Sequence, residues 1–72
     1  MQDRMQLAIE AGQEEAIKLA ETKLGRQLTE VERGGLRRIV SLMMLESVCR
    51  SFAAPGVTQA QVLADLEHFS RE

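Results

Sequence analysis

Apolar and polar positions alternate along the chain with the period of a helix. Between residues 3 and 24, Met5, Ala8, Ile9, Gly12, Ala16, Leu19, Ala20 and Leu24 fall on one stripe, with Asp3, Glu10, Glu14, Lys18 and Glu21 opposite. Glu14 and Lys18 are spaced to pair at i, i+4. Lys23 and Gly25 supply a basic last turn and a left-handed stop. Leu7 is the one large apolar residue on the polar side. A second helix is expected over about 30–53, opened by the capping box Thr29-Glu-Val-Glu32 and closed by Ala54-Pro55-Gly56. A third, about 59–70, starts at the capping box Thr58-Gln-Ala-Gln61, with Val57 and Val62 placed as a hydrophobic staple.

The second of these helices has an unusual pattern. Leu36, Ile39, Val40 and Met43 share one face, whereas Leu45, Val48, Cys49 and Phe52 share a face about 170° away at ~100° per residue. A continuous helix with two opposed stripes needs a different partner on each side. The expected fold is therefore all-α: an antiparallel hairpin of residues 3–24 and 30–53, with 59–70 packed back on the second helix. In that arrangement the first helix covers Leu36 and Met43, Met43 lies near Gly12, and Ile39 lies near Ala16. Gly35 lies near Ala20, where Gly34-Gly35 lets the backbones approach. The third helix covers Leu45 and Phe52, with Cys49 in the same seam. Met5 and Ile9 are left opposite Ser47, Arg50 and Ser51, without an apolar partner.

Composition sharpens this picture. A chain of 72 residues is read as a single helical domain, residues 1–72. Two Phe are its only aromatics, so the core is aliphatic. A core this small supplies about 3–5 kcal/mol unaided, which favours self-association, with Met5 and Ile9 as its surface. Cys49 is the lone cysteine and rules out a disulfide within the chain. It reads as a small buried hydrophobe in a reducing compartment, and the chain as cytoplasmic. The longest apolar run, Ile39 to Leu45, is too short for a membrane span.

Candidate chemistry is sparse. One Cys and one His do not make a zinc site, and Asp65, His68 and Glu72 share a helix face that is read as solvated. A Cys49–His68 nucleophile pair lacks an orienting third group. Gly34-Gly35 has no phosphate-loop context. No cofactor, metal or enzymatic activity is expected. Between Lys18 and Arg38, six basic residues face three acidic ones, against an overall charge of −2. Arg33, Arg37 and Arg38 on the back of the second helix form a candidate macromolecule-docking patch.

One stretch carries a local resemblance. Gly56-Val-Thr-Gln-Ala-Gln-Val-Leu-Ala-Asp-Leu66 is similar to the turn and recognition helix of helix-turn-helix repressors, matching at Gly56, Val57, Thr58, Val62 and Leu66. The resemblance implies a DNA-binding regulator whose Gln59 and Gln61 read base edges. Phe52, where such motifs have a small residue, and Pro55 in the turn depart from the pattern. Asp65 and Glu67 make the supposed recognition helix acidic, against the phosphates. The expected function is accordingly a helical protein-interaction module. It would act as adaptor, inhibitor or regulator, as a homodimer whose partner is another protein, with nucleic acid as the alternative.

Overall fold

The computed structural model describes residues 3–71 and contains, among them, four α-helices and no strand. These are α1 (Arg4–Leu24), α2 (Glu30–Arg37), α3 (Leu42–Ala53) and α4 (Gln59–Ser70). The chain is all-α as expected, but the single helix expected over 30–53 is two helices separated at residues 38–41.

The ends obey local rules. Asp3 caps α1, accepting from Met5 N at 3.0 Å, and Gly25 ends it in the left-handed region at φ 70. Both arms of the Thr29–Glu32 capping box are formed, at 3.2 and 2.9 Å, and both arms of Thr58–Gln61, at 3.1 and 3.2 Å. Arg26 grips the same Glu32 through both guanidinium nitrogens, at 3.0 and 3.1 Å. That pair, reinforced by the Thr29 backbone N–H, holds the Glu32 carboxyl down at about 2. The Glu21 carboxylate accepts from Leu28 N at 3.0 Å, so the α1–α2 turn is tied at both ends.

The break has a specific cause. Gln13, buried on the core side of α1, donates from Nε2 to Arg37 O at 2.9 Å and to Ile39 O at 2.8 Å. In an unbroken helix those two carbonyls would accept from the N–H groups of Ser41 and Met43. The Gln13 carboxamide takes over both. Arg38 N and Ile39 N then close the last turn of α2 on Gly34, Gly35 and Leu36 carbonyls. Ser41, extended at φ −110 and ψ 124, caps the new helix by accepting from Met44 N at 3.4 Å.

The break redirects the second half of the chain. α2 runs antiparallel to α1, bringing Leu28 to Glu21 and Arg37 to Glu14. Glu14 pairs across to Arg37 at 3.1 Å, not with Lys18 as the spacing suggested. α3 then runs parallel to α1. Leu42 sits beside Ala8, Leu45 and Cys49 beside Gly12, and Phe52 and Ala53 beside Leu19 and Thr22. Leu45, expected under the third helix, therefore packs on α1. A Cβ at Gly12 would lie 3.1 Å from Leu45 Cδ1, so the missing side chain lets α3 sit close. Met43, expected near Gly12, is exposed, as is Val40. The Ile39 carbonyl accepts from Gln13, and its side chain joins the buried cluster that includes Ala16.

α4 crosses back over α2 and barely touches α3. Gly35, expected near Ala20, lies under the C-terminal turn of α4. A Cβ there would meet Phe69 O at 3.0 Å and Ser70 Oγ at 2.9 Å. One cluster fills the middle: Ala16, Ile17, Ala20, Leu28, Leu36, Ile39, Leu45, Val48, Phe52, Val57, Val62 and Leu66. Val57 and Val62, the expected staple, are both buried in it.

Two substitutions, two residues apart, test this arrangement. Leu45 is 1% exposed and Met43 82%. In urea unfolding of the dilute, monomeric protein, Leu45→Ala is expected to lose about 2–5 kcal/mol, and Met43→Ala to stay within about 0.5 kcal/mol of wild type. Equal losses would restore the continuous helix buried on both faces.

Candidate interaction surface

The break generates an apolar end to the bundle. Val40 cannot follow Ile39 into the core, because the extended segment after α2 turns it outward. It lines a shallow hollow with Met5 and Ile9 from the first turns of α1, and with Gln13 beneath. Met43 and Met44 follow in the first turn of α3. Met5 is 55% exposed, Val40 71%, Met43 82% and Met44 49%. Ile9 is half-buried against the core. Met5 and Ile9 were expected to face Ser47, Arg50 and Ser51; their neighbour is Val40. Sequence periodicity missed Val40, Met43 and Met44 as surface because it placed Val40 and Met43 under the first helix. The available signal was Ser41, a good N-cap in the middle of an apolar run.

A second feature is the crease between α1 and α3. Ala8, Ala11, Gly12, Leu42, Leu45 and Cys49 form its floor, and Glu15 and Glu46 its rims. Cys49, expected in the seam with the third helix, is half-buried here, its Sγ 3.7 Å from Gly12 O. Partial burial, with the Glu15 carboxylate nearby, pushes its thiol above the ordinary range. His68, the other half of the notional nucleophile pair, lies edge-on to Phe69 at 5.6 Å on α4. Asp65 and His68 share α4, while Glu72 lies outside the described residues. Among the described residues, no group of three His, Cys, Asp or Glu is placed to hold a metal ion.

The basic positions point in different directions. Arg33 folds back on its own turn, donating from Nε and Nη2 to Leu28 O at 3.2 and 3.0 Å. Arg37 reaches across to Glu14. Arg38 is exposed at the end of α2. On α4, Gln59 donates to Lys23 O at 3.2 Å, and Gln61 closes the capping box. Gln59 thus ties the helix start to α1, while Gln61 is engaged within its own cap. Among the described residues, no helix is long and apolar enough to cross a membrane.

Compared with protein-family models, curated proteins and solved structures, the chain matches none.

The Cys49 environment predicts slow chemistry. Because the thiolate is the reactive form and the folded thiol titrates above its ordinary range, alkylation of native protein at neutral pH should run several-fold slower than in urea. It should accelerate as pH rises through the thiol range, later than for the unfolded chain. Equal native and unfolded rates would contradict the packing of Cys49 against Gly12.

Proposed function

We propose that this chain is a small helical protein-interaction module, an adaptor, inhibitor or regulator, that works through a self-associated helical surface. The supporting observation is the hollow lined by Met5, Ile9 and Val40, together with Met43 and Met44 left exposed at the start of α3. Met5, Val40, Met43 and Met44 together expose apolar surface on the order of a few hundred Å², comparable with the largest and often functional patch of a small protein. Methionine suits that role, because its flexible, polarisable side chain adapts to the surface it meets. Arg37 and Arg38, at the exposed end of α2 beside this surface, would set the polar rim for a second protein. The free Cys49 fits a reducing compartment such as the cytoplasm.

The DNA-reading alternative through Gln59 and Gln61 has weaker support. Both side chains are engaged within the chain, and Asp65 and Glu67 lie on the same helix.

Sedimentation equilibrium across about 1–100 µM, a range spanning ordinary weak-dimer affinities, should show a dimer. The pair Val40→Lys and Met43→Lys should return it to monomer with helix content unchanged, since both positions are exposed. A wild-type monomer at the upper concentration would refute the proposal. Tight binding to duplex DNA with a steep salt slope would favour the alternative.

A further inference from the structure

We propose that the dimer forms by exchange of halves: α3 and α4 of each copy pack on α1 and α2 of the other. Residues 30–53 of each chain then make one continuous helix. The inference rests on the self-association proposed above and specifies its form.

Three observations carry it. The first is where the contacts lie. α1 packs on α3 and α2 on α4, so the two principal interfaces join residues before the break to residues after it. α1 meets α2, within its own half, about as lightly as it meets α4 across the break, and α3 hardly meets α4. A second copy can therefore supply nearly every core contact that the chain makes with itself, which is the condition for a low-cost swap.

The second is the chemistry of the hinge. Arg38-Ile39-Val40-Ser41 contains neither Gly nor Pro, and Arg38 is already helical at φ −79 and ψ −15. Only Ile39 to Ser41 must change for α2 to run into α3. The Arg37 and Ile39 carbonyls, held by Gln13 in the bent form, would accept from Ser41 and Met43 N–H groups in the straight one. The straight form thus leaves neither carbonyl orphaned, while Gln13 Nε2 gives up both acceptors and must turn to the water of the hollow that it lines.

The third is the sequence pattern. Once straight, Leu36, Ile39, Val40 and Met43 return to a common face, with Leu45, Val48 and Phe52 on the opposite one. A helix with two opposed apolar stripes then has a partner on each side, its own α1 on one and the second copy's α1 on the other. Val40 and Met43, the most exposed large apolar side chains of the bent form, lie where the two long helices cross near the dyad.

The test uses the lone thiol. Cys49 and the exposed Glu15 border the same α1–α3 crease. The Glu15→Cys variant therefore puts two thiols across that interface. The dimer fraction is isolated by size, treated with a short bis-maleimide, denatured and reduced. Exchange of halves predicts a cross-link between chains, seen as a species of twice the chain mass. A dimer whose cross-links all lie within one chain would overturn the exchange and leave face-to-face association standing. Absence of any dimer would remove both. Leu42→Pro gives a second, independent arm. Proline suits the first position of α3 and the extended Ser41 before it, but not the interior of a continuous helix. That variant should stay folded and monomeric; if it folds and dimerises like wild type, the exchange is wrong.

Discussion

The fold turns on one buried carboxamide. Gln13 sits on the core side of α1, where an amide without partners would be costly. Its two N–H bonds go to two carbonyls, Arg37 O and Ile39 O, that a break in the following helix leaves open. Each side needs the other: the side chain requires acceptors, and the broken helix requires donors. Because both partners can only accept, the NH2 end must face them. The same contact determines where α2 stops, so α3 starts again after Ser41, with Leu42 beside Ala8, and runs along α1.

The helix interfaces that follow depend on small residues at close approach. Gly12 admits Leu45 to the surface of α1, and Gly35 admits the last turn of α4 to α2. With only two Phe available, tight approach of aliphatic and small side chains is how this chain fills its core. The break also sets the surface. By turning Val40 and the first turn of α3 outward, it brings Val40 to Met5 and Ile9 and leaves Met43 and Met44 exposed. The candidate interaction surface is thus a by-product of the same hydrogen bonds that shape the interior, which links binding to the state of the hinge.

Much of this was legible in the sequence, because it is local. Lys23 and Gly25 close α1, two capping boxes open α2 and α4, and Pro55 follows the end of α3. Each works through residues within a turn of one another. The stripe reversal between Leu36 and Phe52 was legible too, but its cause was not. Opposed stripes suggest one helix covered on both sides; instead Leu36 is buried in α2 and Ile39 just beyond it, Leu45, Val48 and Phe52 are buried in α3, and Val40 and Met43 are exposed. Ile39-Val40 carries no helix breaker, and the group that enforces the break lies far back in the sequence at Gln13. A polar side chain acting across that separation leaves no periodic signal. The errors at Met43, Leu45, Gly35 and Cys49 all descend from that one contact. The basic patch failed differently. Arg33 and Arg37 share a helix face, yet Arg33 turns to a neighbouring carbonyl and Arg37 to Glu14, and spacing alone does not reveal such partners.

The role of Gln13 is tested most directly by Gln13→Glu. A carboxylic acid can still donate one hydrogen bond to the two carbonyls; a carboxylate can donate none and repels both. The folded pKa of the new side chain should therefore lie above the unfolded value near ~4.3. Stability relative to wild type should be nearly kept below that pH and lost progressively as pH rises through the folded value. Urea unfolding of dilute wild type and variant between about pH 3 and 7 measures the difference. A deficit that grows with pH is the predicted result. A variant matching wild type at every pH would mean that the break is held by something other than Gln13.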